Sequence, residues 1–160
     1  MTEKEGYILN WIRKVSKKRP ELHNFAICPF ASTSTYKIIE CNAEEIYPIE
    51  GYNAIIYIIE DEFDLSEVQK WVDYHNSNHS EWRFFGDCKS YDTFIKDIQT
   101  NNGQYNLIIG QPKQELRNFR EKLAKTEYYD LWDAEYLKEI LEYDYDLIEH
   151  RDRNLYKSSD

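Results

Sequence analysis

The sequence lacks a long hydrophobic run. Its longest uninterrupted apolar stretch is residues 54–59, whereas a membrane-spanning helix needs about 20 such residues. The first residues, MTEKEG, are polar and lack the apolar core of a signal peptide. These two absences predict a cytoplasmic protein with no membrane partner.

Cysteine and glycine are both scarce. The three cysteines, Cys28, Cys41 and Cys88, are odd in number and form no CxxC pair, so neither a disulfide framework nor a zinc knuckle is expected. With five glycines, the chain contains no GxGxxG, Walker-type or GxSxG motif. Nucleotide-binding and hydrolase sites depend on such glycine-rich turns. No cofactor is therefore predicted.

Positive charge is in short supply. Lys and Arg number 20 against 30 Asp and Glu, which gives a formal net charge of -10 at neutral pH. Nucleic-acid-binding surfaces depend on Lys and Arg to neutralise phosphates, so direct binding of nucleic acid is not expected. The abundance of Ile, Asn, Lys, Tyr, Asp and Glu is typical of AT-rich genomes, including those of many phages.

What the sequence does contain is a core-forming pattern, with 41% hydrophobic and 16% aromatic residues. Apolar residues at helical spacing predict helices at residues 4–18, 65–78 and beyond Pro112, with a short helix at 91–99 and a last one at 133–143. Strands are predicted at residues 36–40, 52–60, 81–86 and 105–110. This order predicts an α+β fold with a four-stranded, mostly antiparallel sheet and helices packed on one face, in a ferredoxin-like variant. We expect one domain over residues 1–149 and a polar tail over residues 150–160.

Two strings near the N-terminus resemble a known family. WIRKV at residues 11–15 and FAICPFA at residues 25–31 are similar to the opening of an uncharacterised bacterial family whose members combine a Trp- and Val-rich first helix with a CPFA turn. The likeness covers about the first 30 residues, and the family's later His-Pro-x-Tyr and Asn-Arg-Ser-Pro-Tyr-Pro strings are absent. Because the family has no settled activity, the resemblance implies a fold more than a function.

Cys28 is the candidate catalytic residue. A reactive thiol needs a neighbouring cation, histidine or helix N-terminus to lower its pKa, and His23 lies five residues earlier. The alternative interpretation is that Cys28 is a small apolar residue packed beside Ile27 and Phe30, since unpaired cysteine is among the most buried residue types.

His75 and His79 form the candidate metal site. They are spaced i, i+4 on a predicted helix, a geometry that grips one ion when a third ligand approaches. Asp87 and Cys88 are the nearest candidates for that ligand. The alternative is a helix end at which histidine is favoured by the helix dipole.

Acidic residues are concentrated in two blocks. Residues 40–67 contain nine carboxylates and no Lys or Arg, and residues 127–149 contain nine more against the single Lys138. The second block is interleaved with aromatic residues that could anchor a partner, namely Tyr128, Tyr129, Trp132, Tyr136, Tyr143 and Tyr145. Three interpretations stay open: a solvated face, a docking surface for a basic partner, and a divalent-metal site at residues 60–64.

Two functional hypotheses follow. The first is a non-catalytic accessory or interaction protein that presents an acidic, aromatic surface to a basic protein partner. The alternative is a small thiol- or metal-dependent enzyme centred on Cys28.

Overall fold

The computed structural model describes residues 1–31 and 34–131. The chain divides into two compact units, the first comprising residues 1–115 and the second beginning at Leu116. The predicted helix at residues 133–143 and the predicted tail at 150–160 lie outside the described residues. The expectation of a single domain over residues 1–149 stays a prediction.

The first unit contains two long helices and a central sheet. Helix α1 spans Glu3–Ser16 and α2 spans Leu65–Asn78. The central strands are β3 (Tyr36–Cys41), β4 (Ala54–Ile59), β5 (Trp82–Asp87) and β8 (Asn106–Pro112). Two small hairpins flank them, β1 (Lys18–Arg19) with β2 (Phe25–Ala26), and β6 (Phe94–Ile95) with β7 (Ile98–Gln99).

The central sheet has the strand order β3-β4-β8-β5. Strand β3 runs parallel to β4, whereas β8 is antiparallel to both of its neighbours. The α+β class and the four-stranded, mostly antiparallel sheet are therefore confirmed. The chain order within the sheet is β-β-α-β-β, which differs from the βαββαβ order of the ferredoxin-like motif. Strands β4 and β5 are parallel to one another, with β8 inserted between them.

Capping interactions fix where both helices begin. The Thr2 side chain accepts a hydrogen bond from the Glu5 amide at the start of α1. At α2, the Asp64 carboxylate accepts from the Glu67 amide, and the Glu67 side chain in turn accepts from the Asp64 amide. These reciprocal bonds form a capping box.

Strand β4 separates two layers of core because all six of its residues are buried. On one face Ile55, Tyr57 and Ile59 pack with α2, whose Val68 and Val72 point at the sheet. On the other face Ile56 and Ile58 pack with Ile8 and Ile12 of α1. The two helices therefore cover opposite faces of the sheet, whereas the prediction placed the helices on one face. A strand apolar at every position needs cover on both sides, which explains the difference.

Residues 91–99 form a hairpin instead of the predicted short helix. Strands β6 and β7 pair antiparallel, and the two residues between them, Lys96 and Asp97, have φ values of 45° and 69°. Such left-handed backbone is what a tight two-residue hairpin turn requires. The Asn101 side chain accepts from the Thr93 amide and so ties the segment after the hairpin to the segment before it.

The outer edge of β5 is capped by a side chain of α2. The Asn76 carboxamide accepts from the Phe84 amide at 2.7 Å and donates to the Phe84 carbonyl at 3.1 Å. The next outward-facing amide, that of Trp82, donates to the His79 carbonyl. Asn76 thus supplies, at Phe84, the two bonds that a further strand would make there.

The second unit begins within α3, which spans Lys113–Ala124. Leu116 and Arg120 are buried, and Arg117 pairs with Glu121 one helical turn later at 3.5 Å. A 3₁₀ turn follows at Tyr128–Leu131. None of the helices in the described part of the chain combines the length and the apolarity that a membrane span needs.

Replacing Asn76 tests whether its carboxamide closes the β5 edge. In Asn76→Ala, the N–H and the C=O of the fully buried Phe84 lose their hydrogen-bond partner, and each such loss costs about 1–3 kcal/mol. We expect the free energy of unfolding, measured by urea titration, to fall by about 2–4 kcal/mol. Asn76→Asp should fall in between, because a carboxylate can accept from the amide but cannot donate to the carbonyl.

Asn78→Ala is the matched control. The Asn78 side chain is exposed and bonds only a carbonyl of its own helix, that of Tyr74. Its loss should change stability by less than about 0.5 kcal/mol. Equal effects at positions 76 and 78 would contradict the edge-capping role.

Candidate functional site

The carboxyl ends of three strands meet at one end of the sheet. Strands β3, β4 and β5 are mutually parallel, so the segments that follow Cys41, Ile59 and Asp87 leave the sheet at the same end. Strand β8 is antiparallel and begins at this end with Asn106. In open sheets, the carboxyl ends of parallel strands are where loops build binding sites.

Exposed carboxylates crowd this end of the sheet, and we call this group of residues the acidic edge. They come from the 3₁₀ turn after β3, the segment after β4 and the first turn of α2. The acidic edge consists of Glu44, Glu45, Glu60, Glu62, Asp64 and Glu67.

Short hydrogen bonds hold the carboxylate-bearing segments together. The Asp61 carboxylate accepts from the Ala43 amide at 2.8 Å, and the Cys41 carbonyl accepts from the Glu60 amide at 2.9 Å. Glu45 folds back to accept from the Asn42 amide at 2.9 Å. The carboxylates are therefore placed by the fold.

The negative potential of the edge acts on neighbouring groups. Burial raises the pKa of the Cys41 thiol to about 11, and the negative charges of Glu45, Glu60 and Asp61 add to the rise. Lys89 is a cation at this edge, where its ammonium group lies 2.7 Å from Glu62. That hydrogen bond lowers the pKa of the Glu62 carboxyl.

Tyr47 is the most exposed aromatic residue in the described chain, at 72%. It lies in the connection between β3 and β4, and residues on both sides of it pack in or against the core. Ile46 before it is buried, Ile49 after it packs on the α2-side core, and the Tyr57 hydroxyl donates to its carbonyl at 2.5 Å. The ring of Tyr47 therefore projects into solvent from a backbone that the core holds in place.

His75 fixes the same connection from the helix side. Its Nε2 lies 2.7 Å from the Ala43 carbonyl, so that ring nitrogen carries the proton and donates. Its Nδ1 is buried with no hydrogen-bond partner in the described part of the chain. Burial lowers the pKa of His75, which favours the neutral ring.

The predicted metal pair is brought together, but as a stack. The rings of His75 and His79 lie 5.7 Å apart with an interplanar angle of 16°, and His75 also stacks on Trp71. Residues 1–31 and 34–131 contain no group of three or more His, Cys, Asp or Glu side chains placed to hold one metal ion. The geometry is that of an aromatic cluster that covers Phe84.

Cys28 and His23 lie in the segment that follows α1. The Cys28 amide donates to the Val15 carbonyl at 2.8 Å, and its carbonyl accepts from the Ala31 amide, so the CPFA turn is tied to the end of the helix. Cys28 is half-buried. His23 is exposed and adopts the left-handed conformation, with φ of 52°, where it closes a 3₁₀ turn. The thiol-enzyme hypothesis stays a prediction.

The predicted aromatic anchors are only partly described. Tyr128 and Tyr129 are each 6% exposed and pack edge to face at 5.3 Å, so neither presents its ring to a partner in this state. Trp132, Tyr136, Tyr143 and Tyr145 lie outside the described residues.

A set of buried asparagines organises the same edge, and sequence reasoning missed it. The Asn106 carboxamide accepts from the Lys89 amide and donates to the Phe63 carbonyl, which joins the segments after β4 and β5. The Asn102 side chain accepts from the Tyr105 amide and donates to its carbonyl. The only sequence signal was the Asn-Asn-Gly string, which predicts a turn and not a buried network.

Asp87 lies beneath this network at the end of β5. Its Oδ2 accepts from the Asn102 amide at 3.3 Å, while its Oδ1 is buried with no partner among the described residues. Burial raises the pKa of Asp87 to about 7, and the bonds from Asn102 oppose that rise.

No protein-family model, curated protein or solved structure matches this chain. The resemblance of residues 11–31 to the CPFA-containing family therefore stays a prediction.

Asp87 should make stability fall as pH rises. The carboxyl holds its proton in the folded chain up to about pH 7, whereas in the unfolded chain it releases the proton near its ordinary pKa of 3.8. Between these two values the folded state binds more protons, so the free energy of unfolding decreases with pH. In Asp87→Asn this contribution should vanish, and the variant should be more stable than the parent at pH 8 by a few kcal/mol.

Asp92→Asn is the control for this titration. Asp92 is an exposed carboxylate of the neighbouring segment that accepts from the Asn101 side chain. The parent and both variants are compared by thermal unfolding at closely spaced pH values between 4 and 7. An unchanged slope in Asp87→Asn would overturn the assignment.

Proposed function

We propose that this protein is a non-catalytic accessory protein of the cytoplasm that presents the acidic edge, together with Tyr47, to a basic protein partner. The observation that carries the proposal is the exposure of Tyr47, 72% of whose surface is open to solvent on a connection anchored by buried neighbours. Six exposed carboxylates line the same connection and the segments beside it.

A tyrosine held in this way suits the centre of an interface. Aromatic residues dominate binding energy when they are desolvated, and a backbone that is already ordered loses little further entropy on binding. Tyr47 is followed by Pro48, which removes one backbone freedom from the same segment. The Tyr47 backbone is thus already held in place before a partner binds.

The carboxylates supply attraction at a distance. Residues 38–69 contain no Lys or Arg, and the chain carries a net charge of -10. A one-signed surface steers an oppositely charged partner and raises its association rate, and salt screens that steering. This favours a partner with a Lys- and Arg-rich face.

Association should depend on both the ring and the charge. In pull-downs from native lysate we expect basic proteins to be retained at low ionic strength and released near 1 M salt, where the screening length falls to about 3 Å. Tyr47→Ala should weaken binding of the retained protein by about 30-fold, the loss typical of an aromatic hot spot. The double variant Glu44→Gln with Glu60→Gln should slow association and reduce the salt dependence.

Two control variants match these changes. Phe94→Ala removes an aromatic ring that is 57% exposed. Phe94 belongs to the hairpin just before Thr100, and the Thr100 carbonyl accepts a hydrogen bond from Trp11 of α1. Helix α1 covers the face of the sheet opposite to the one on which the Tyr47 connection packs. Glu21→Gln with Glu81→Gln removes two exposed carboxylates that are not among the six of the acidic edge. Failure to retain any basic protein at low ionic strength, or equal losses in test and control variants, would count against the proposed function.

A further inference from the structure

The outer edge of β3 has no strand beside it in the described chain. Strand β3 stands at the end of the order β3-β4-β8-β5 and pairs with β4 alone. The Thr35 carbonyl accepts from Asn53 and Ala54, and the Cys41 carbonyl accepts from Glu60, so the odd-numbered residues of this strand turn their backbone groups toward β4. The amides and carbonyls of Tyr36, Ile38 and Glu40 therefore face the other way.

The two edges of the sheet are treated differently. At β5, the Asn76 carboxamide and the His79 carbonyl occupy the outward groups of Phe84 and Trp82. No side-chain bond of that kind is present on Tyr36, Ile38 or Glu40 among the described residues. Edges that must stay unpaired are usually blocked by proline, a bulge or a cover, and β3 has neither a proline nor a break in its six-residue register with β4.

The surroundings of β3 favour a basic strand. The turn that follows it carries Glu44 and Glu45, and Glu60 is bonded to its last residue. At Cys41, the last residue of β3, burial raises the pKa of the thiol and the negative charges of Glu45, Glu60 and Asp61 raise it further. Lys4, whose ammonium lies 4.0 Å from Glu40, and the exposed Lys37 of the strand itself leave the carboxylates in excess.

We infer that the edge of β3 accepts an extended, basic segment of the partner as an additional strand. Main-chain hydrogen bonds to Tyr36, Ile38 and Glu40 would provide the affinity, and the acidic edge would select Lys and Arg side chains on the incoming strand. This inference rests on the proposed function, since it specifies how the basic partner binds.

The probe is a capped synthetic peptide of alternating valine and lysine, fluorescently labelled, together with the same peptide N-methylated at every residue. Both carry the same charge, but only the first can donate main-chain hydrogen bonds. In fluorescence anisotropy with the full chain, we expect the N-methylated peptide to bind at least about tenfold more weakly, a difference of about 1.4 kcal/mol that one or two hydrogen bonds supply.

A pair of substitutions at one position gives the matching test on the protein. Glu40→Gln and Glu40→Pro both remove the charge, but only proline removes the outward amide, and it spares the ladder to β4 because that amide faces away. We expect Glu40→Pro to bind the unmethylated peptide about tenfold or more weakly than Glu40→Gln. If Glu40→Pro does not fold, as judged by circular dichroism, hydrogen exchange on the parent chain decides instead. Peptide should then slow exchange of the Ile38 and Glu40 amides and leave that of Phe84 unchanged.

The outcomes separate this inference from the proposed function. Equal binding of both peptides, with equal affinity in the two Glu40 variants, would show binding by charge alone, which overturns strand addition and leaves the proposed function standing. Absence of any peptide binding at low ionic strength would count against both. A dimer of the full chain in light scattering that Glu40→Pro dissociates would make a second copy the occupant, and the inference would be overturned.

Discussion

The burial of β4 on both faces is the constraint on which the rest of the first unit depends. Six consecutive residues, Ala54–Ile59, are hidden from solvent, and alternate side chains enter two separate layers of core. Such a strand can exist only when something covers each face. Helix α1 covers one and α2 the other, with the connection between β3 and β4 packed beside α2. The rigidity of that connection, and hence the projection of Tyr47, follows from the same requirement.

Asparagine carboxamides complete the backbone bonding that this sheet leaves open. An amide side chain carries one acceptor and donors on neighbouring atoms, so it can pair with the N–H and C=O of a single residue as a strand would. Asn76 does so for Phe84, and Asn102 does so for Tyr105. Asn106 instead bridges two segments, through Lys89 and Phe63. These side chains stabilise the fold, because a buried backbone group that makes no hydrogen bond costs its full desolvation free energy.

The sequence was informative where a short-range pattern decides the outcome. Apolar periodicity located the four strands of the sheet and the two long helices to within one or two residues at most ends. The hairpin at β6 and β7 was missed because its turn uses Lys96 and Asp97 in left-handed conformations that glycine or asparagine usually signal. The placement of α1 and α2 on opposite faces depends on which residues of β4 each helix meets, and that is a tertiary fact.

The candidate site was predictable in its charge but not in its shape. Nine carboxylates between residues 40 and 67 are visible in the sequence, yet only the parallel alignment of β3 with β4 gathers Glu44, Glu45 and Glu60 at one edge. Tyr47 carries no sequence signal of its own, since its exposure follows from the burial of Ile46 and Ile49 on either side. For the stacked histidines, the sequence shows the spacing but not the contacts. Their i, i+4 spacing is compatible with a metal site, but the Nε2 of His75 donates a hydrogen bond to the Ala43 carbonyl.

The charge of the acidic edge also affects what can pair with β3, whose outer side has no strand beside it in the described part of the chain. An uncovered edge strand is a template for pairing with any extended chain, including another copy of the same protein. Two copies paired in parallel through β3 would bring their carboxylate-bearing turns together, and in either orientation each copy carries a net charge of -10. Like-charge repulsion therefore opposes self-pairing at the step where a basic strand would be attracted. On the proposed mode of binding, the charges that recruit a partner would thus take the place of the proline, bulge or cover that other sheets use, and would make the edge selective.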